Sequence, residues 1–155
     1  MKLPLSLLLL ISSLPVSAQV EKVAMRTTGI SCGICAGLSE VYFRRMPGVD
    51  AVKISLSKEA IMLTYKPGAT FDPKAIRDLL KPMEVGVVQF QIGARGQAQV
   101  QDGKRRFVAG KQTFQLLDAI DSPDLELNKL VLVEGIVLDD KSPMALKVLS
   151  VKPLK

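Results

Sequence analysis

The sequence predicts an α+β protein, a ferredoxin-like βαββαβ sandwich over residues 19–92 followed by a small all-β, OB-like barrel over residues 93–155. Three observations predict it. Apolar residues of the first part alternate with period two in four runs and recur at helical spacing in two segments between them. Their order is strand, helix, strand, strand, helix, strand, the split βαβ arrangement that sets two helices on one face of an antiparallel sheet. The last part, about 60 residues, holds five short strand-like runs separated by turn signals, a density that suits a small barrel.

Each element has its own warrant. In the first strand, residues 20–28, Val23, Met25 and Thr27 alternate toward one face. A Gly29-Ile30-Ser31 turn leads into a helix with Leu38, Tyr42, Phe43 and Met46 at helical spacing, and Pro47-Gly48 ends it. Val52, Ile54 and Leu56, with Val49 leading in, mark the second strand, and Ser57-Lys58 connects it to a third carrying Ile61, Leu63 and Tyr65. Lys66-Pro67-Gly68 breaks that strand. Asp72-Pro73 starts the second helix, with Asp as N-cap and Pro at the first helical position. Ile76, Leu79 and Leu80 supply its buried face, and Lys81-Pro82 stops it. Residues 85–92 form the fourth strand, and residues 93–100 alternate in strand fashion as the first strand of the barrel; the one is expected to run into the other, with at most a short linker near Gly93-Ala94-Arg95-Gly96. Gln101-Asp102-Gly103-Lys104 is a hairpin signal. Residues 107–109, 113–117, 130–138 and 145–151 complete the barrel, the last two joined by a loop that opens with Asp139-Asp140. Those adjacent carboxylates read as a turn, because neighbours on a strand point apart.

Residues 1–18 read as an export signal. Lys2 gives the positive start, residues 5–14 the apolar core, and Val16-Ser17-Ala18 a small-residue cleavage site, so the mature chain is expected to begin at Gln19. The competing reading, a retained anchor, needs about 20 apolar residues to span a membrane, more than this stretch offers. No cysteine stands at the cleavage site, so no lipid attachment is expected there. The protein is therefore expected to be soluble outside the cytoplasm, periplasmic or secreted.

Composition narrows the function classes. The 155 residues carry 21 Lys and Arg against 15 Asp and Glu, two cysteines and no histidine. Loss of Lys2 leaves a dispersed charge of about +5. Lys104-Arg105-Arg106 is the densest basic cluster and reads as a solvated hairpin end, since export removes nucleic acid as a partner. Two cysteines make no disulfide-rich scaffold, so the core must be hydrophobic. Without histidine, Ser-His-Asp and His-metal schemes are closed. No P-loop or dinucleotide fingerprint appears. The chain is expected not to be an enzyme and to have no small-molecule substrate.

The chemistry lies in Cys32-Gly33-Ile34-Cys35. Two thiols three positions apart at a loop-to-helix junction can face the same way. Cys32 is expected in the loop and Cys35 in the first helical turn, where unpaired N–H groups and the positive end of the helix dipole favour thiolate. Such a pair can grip one soft ion or close a disulfide. Ligand counting disfavours zinc, which wants four ligands in a structural site, and calcium or magnesium, which want oxygen cages. Cu(I) is satisfied by two or three sulfur donors, and Hg(II) suits two thiolates equally well on this count.

These residues also carry a resemblance. Gly29-Ile30-Ser31-Cys32-Gly33-Ile34-Cys35, a helix, and then Pro47-Gly48-Val49 resemble the heavy-metal-associated domain family, whose pattern is a strand, Gly-Met-Thr-Cys-x-x-Cys, a helix and Pro-Gly-Val. That family includes copper chaperones, modules of copper-pumping ATPases and periplasmic mercury-binding proteins. The resemblance covers about half of the mature chain. Ile30 stands where the family has a buried Met, Ser31 where it has Thr, and Lys81-Pro82-Met83-Glu84 where it often has Gly-Tyr or Gly-Phe. It implies a carrier that holds the ion on Cys32 and Cys35 and exchanges it with a donor or acceptor protein, a membrane transporter among the options, through a three-sulfur intermediate. It also implies that the loop carrying Lys81 and Met83 faces the site. Lys81 would offset the negative charge of the loaded site, and Met83 would be a weak thioether donor. Against the latter, methionine commonly fills irregular gaps in a core, and Met25, Met46 and Met62 read the same way. Two rival readings remain: a thiol–disulfide redox protein, because an oxidising compartment tends to close a free CxxC, and an interaction module that keeps Cys32–Cys35 as a staple.

Overall fold

The structure, a computed structural model, describes residues 17–154. Of residues 1–18, read in the sequence as an export signal, only Ser17 and Ala18 fall among them; the rest lies outside the described residues. The strands are β1 (Gln19–Thr28), β2 (Val49–Ser55), β3 (Ala60–Tyr65), β4 (Gly86–Gln101), β5 (Lys104–Ala109), β6 (Gln112–Leu116), β7 (Val131–Leu138) and β8 (Ala145–Pro153). The helices are α1 (Gly33–Arg45) and α2 (Pro73–Leu80), the latter continued by a 3-10 turn over Lys81–Met83.

The first four strands lie in the order β2-β3-β1-β4, all antiparallel, with α1 and α2 in the two crossovers. This is the expected ferredoxin-like arrangement. Val23, Met25, Ile61, Leu63, Phe90 and Ile92 turn one face of the sheet into a core that takes Phe43 from α1 and Ile76 and Leu80 from α2. Asp72 caps α2 as expected: its carboxylate accepts the Ala75 N–H at 3.0 Å, and Pro73 opens the helix.

Three side chains expected on buried faces lie in solvent. Leu38 and Tyr42 are exposed, and the inner face of α1 is instead Ala36, Ser39, Phe43 and Met46. The helix has apolar residues on several sides, so spacing alone did not fix the buried one. Leu56 also lies in solvent, because β2 ends at Ser55 and Leu56 enters the turn.

The second part closes as a five-stranded barrel. β4 pairs with β5, β5 with β6, β6 with β8, β8 with β7, and β7 returns to β4; only β6–β8 is parallel. Ala98, Phe107, Phe114, Val133 and Leu146 fill it. The Asp102-Gly103 turn joins β4 to β5, pairing Gln101 with Lys104 as the hairpin signal required.

The expected boundary between residues 92 and 93 falls inside β4. Its sixteen residues run without a break from sandwich to barrel, and residues 90–95 are paired on both edges, to β1 and to β7. The fourth strand thus runs into the first barrel strand as the alternation of residues 93–100 predicts, with no linker at Gly93-Ala94-Arg95-Gly96. Gly96 serves a close approach, since a Cβ there would collide with the Val108 carbonyl of β5.

Side chains tie the two parts as well. Gln112 of β6 donates to the Phe71 carbonyl at 2.7 Å and accepts the Phe71 N–H at 2.9 Å, as a neighbouring strand would. Arg77 of α2 donates to both oxygens of Asp139, at 2.8 and 3.0 Å, and to the Val87 carbonyl at 2.8 Å. Its guanidinium also stacks 5.0 Å from the Phe90 ring centroid. Asp139, read in the sequence only as part of a turn, thus anchors the barrel to α2. The Arg77 hydrogen bond holds its carboxyl below the usual range, against the opposing effect of burial.

A group whose folded pKa is depressed stabilises above its unfolded value and loses that contribution as pH falls through the folded one. In a double-mutant cycle with Arg77→Gln and Asp139→Asn, urea unfolding should give a coupling of about 1 kcal/mol at neutral pH, the upper end for a partly exposed bidentate pair. The coupling should shrink once pH drops below about 3.9, the unfolded Asp value. A coupling unchanged at pH 2 would contradict the assignment.

Candidate metal centre

The motif is positioned by what precedes and underlies it. β1 ends at Thr28, and Gly29 turns the chain with φ +84°. A Cβ on Gly29 would stand 2.7 Å from the Glu84 carbonyl oxygen, so the loop leaves β1 in backbone contact with the turn after α2. Ile30 is fully buried beneath it, the apolar prop expected at that position. From Ser31 to Ile34 the chain lies in solvent, and Ile34 is 78% exposed.

Cys32 is the N-cap of α1, with extended backbone, and Cys35 is the third residue of the helix. The Cys35 N–H points at Cys32 Sγ, 3.0 Å away. A sulfur thus does the work usually left to a Ser or Asp oxygen, satisfying one of the orphan N–H groups of the first turn. Cys32 is exposed and Cys35 half-buried, so both sulfurs can be reached from solvent. In the structure the two are bonded as a disulfide with Cα atoms 5.3 Å apart. A dithiol reductant, by thiol–disulfide exchange, converts that bond to two thiols at the same helix entrance.

The other expected residues gather on one turn. Lys81 and Met83 lie in the 3-10 turn after α2, which Glu84 closes by donating its N–H to the Lys81 carbonyl at 3.0 Å. The Gly29–Glu84 contact places this turn against the loop that leads to Cys32. Lys81 is exposed and makes none of the ion pairs found among the described residues. Met83 is half-buried, with its sulfur 3.5 Å from Ser39 Oγ. Ser39 is fully buried on α1 and donates to the Cys35 carbonyl at 2.8 Å. Sequence reasoning passed over Ser39; a serine one turn beyond Cys35 and one turn before Phe43, on the face that Phe43 buries, was the available signal. Met25 is core and Met46 half-buried against it. Among the described residues no group of three or more His, Cys, Asp or Glu converges anywhere, so Cys32 and Cys35 have no third donor of those types.

With the geometry in place, the chain can be compared with known proteins. It is 37% identical over 71 residues to the human copper-transporting ATPase 2, and 30% identical over 71 residues to a copper-exporting P-type ATPase of Bacillus subtilis. Its sequence relatives are copper pumps. Both stretches are 46% of this chain but only 5% and 9% of the ATPases, so the likeness is to a small part of each. Among solved structures, the CopZ metallochaperone aligns with 43% of this chain and 98% of its own at 19% identity and a TM-score of 0.39. The HMA domain of a copper chaperone for superoxide dismutase aligns with 59% of this chain and 85% of its own, at 15% identity and a TM-score of 0.38. No family model matches the chain. The sequence relatives are thus copper-transporting ATPases, in line with the resemblance that the motif carries.

The positive φ and the Glu84 contact make Gly29 hard to replace. Gly29→Ala should destabilise by about 1–3 kcal/mol, the range of strained backbone positions, read as a lower urea midpoint. An unchanged midpoint would show that the loop does not lean on the 81–84 turn.

Proposed function

We propose that this chain is an exported Cu(I) carrier, which holds the ion between the reduced sulfurs of Cys32 and Cys35 and passes it to a partner protein by ligand exchange. The observation that carries this reading is the placement of two solvent-reachable sulfurs on one helix entrance. A soft monovalent ion accepts so few ligands, and thiolates select it. The sequence likeness to copper pumps supports copper; none of the relatives named above is a mercury protein, and Hg(II) is not part of the proposal. The signal-like residues 1–18 support a periplasmic or secreted location.

Transfer follows from low coordination. The loaded ion faces solvent on its Cys32 side, so an incoming thiolate can bind it before either resident sulfur leaves. A metal-exporting pump with cysteines of its own is the partner class this suits. The barrel has the strand order of an OB fold, β4-β5-β6-β8-β7 with the third and last strands parallel, and we take it as OB-like. Because β4 is common to both parts, the barrel is carried rigidly with the metal end and suits docking to a partner of fixed geometry.

Reduced mature protein should bind about one Cu(I) per chain, and Cys32→Ser or Cys35→Ser should each abolish tight binding in a chelator competition. Undiminished binding by the double serine variant would refute the site. The bonded state of the two sulfurs favours a second reading, a thiol–disulfide protein that exchanges its disulfide for a substrate dithiol, or a module stapled there. Clear turnover in an insulin-reduction assay would favour the redox form. Absence of turnover together with unchanged melting after reduction would leave carriage as the role of the pair.

A further inference from the structure

We propose that the helix-free face of the sheet is a binding surface for a linear acidic polysaccharide, laid across the strands and held by cations that have no partner within the protein. The choice of polysaccharide rests on the exported location proposed above; the surface itself is independent of copper.

The face is continuous across both parts of the chain. α1 and α2 pack on the side of Val23, Leu63 and Phe90. On the opposite side one row crosses six strands in register: Lys53 of β2, Met62, Ala24, Gln91, Ile136 and Lys147 of β8. Because β4 pairs with both β1 and β7, the open face of the sandwich runs into the outer wall of the barrel. The row spans five strand spacings, about 24 Å, with a lysine at each end.

Charge on this face is one-sided. Lys22, Arg26, Lys53 and Lys152 are exposed and Lys147 is half-buried. None of these enters an ion pair found among the described residues. Arg95, on the same face, is taken up by Glu21. The carboxylates that remain are Glu134, which accepts from the Ser150 hydroxyl, and Asp50 in the β2 bulge. The other ion pairs lie on the helices and around the barrel. Lys22 lies along the sheet over Gly93, where a Cβ would meet the lysine side chain at 3.1 Å. Neutral hydrogen-bonding groups stand between the cations: Thr64 beside Lys22, Gln89 beside Arg26, and Gln91 in the central row.

This arrangement selects the ligand. The cations sit two or three strands apart, about 10–14 Å, too far to converge on one small anion. Neighbouring strands are rotated by about 20–25° on average, so six strands turn through roughly 100°, and a plane of lipid headgroups meets only part of the row. A flexible chain can follow the twist. Its acid groups then meet the lysines by electrostatic complementarity, and its hydroxyls meet the amides and the threonine between them.

Binding of the mature protein to heparin, a sulfated uronic-acid polysaccharide, tests this in a salt titration. Two triple variants of equal net charge are compared: Lys22→Gln, Lys53→Gln, Lys147→Gln on the face, and Lys104→Gln, Lys111→Gln, Lys141→Gln on the barrel loops. The wild type should bind at about 0.15 M salt. The slope of log affinity against log salt should fall by about three in the face variant and by less than about one in the control. Gln91→Ala should weaken binding by about threefold, one hydrogen bond, with the slope unchanged. Equal losses in the two triple variants would show net charge acting alone and overturn the proposal. So would absent binding at that salt, or a preference for phosphatidylglycerol vesicles or a single-stranded oligonucleotide of matching charge. Both triple variants should still bind Cu(I) as the wild type does, so loss of heparin binding leaves the carrier reading standing, and loss of copper binding in the cysteine variants leaves this surface standing.

Discussion

The structure depends on one strand. β4 spans about 50 Å at the usual rise per residue, enters the sandwich beside β1 and leaves it as a wall of the barrel. Over residues 90–95 its backbone groups are spent on both sides. The strand cannot bend there without giving up paired hydrogen bonds in a buried setting, where each unmade bond is costly. The Phe71–Gln112 and Arg77–Asp139 contacts reinforce the same junction. The chain is thus one sheet in two shapes, with the α2 side of the sandwich tied to the barrel.

The candidate metal centre is built by the same economy. One tight turn, one buried apolar anchor and one helix entrance suffice. Gly29 brings the loop onto the 81–84 turn, Ile30 pins it, and Cys32 caps the helix with its own sulfur. The sulfurs stand at the surface, above the buried Ile30 and Ser39. An ion held there is accessible to a partner without any opening of the core, as ligand exchange requires.

Much of this was legible in the sequence because local chemistry and global fold agree. The alternation of Val23, Met25 and Thr27, the Asp72-Pro73 helix start, the Asp102-Gly103 turn and the helix entrance at Cys32 and Cys35 each follow from a single local rule. The sequence failed where the answer depends on partners far along the chain. Leu38 and Tyr42 have the right spacing for a core face, yet α1 buries Ser39 because the Cys35 carbonyl satisfies its hydroxyl and small side chains let the helix sit close. The alternation of residues 93–100 showed that one strand runs into the next, but not that Gly96 marks a backbone crossing whose other half is Val108. Asp139 looks like any turn aspartate until Arg77, 62 residues away, is placed beside it. The helix entrance itself was legible; its contact with the 81–84 turn was known only by resemblance until Gly29 met Glu84.

The account stands on paired sulfurs that are open to a soft cation in the compartment where the protein works. Metal analysis and thiol trapping of protein isolated anaerobically from that compartment test this most directly. The account requires about one copper per chain, lost on alkylation of Cys32 and Cys35. A metal-free population with the Cys32–Cys35 disulfide intact in every molecule would contradict it.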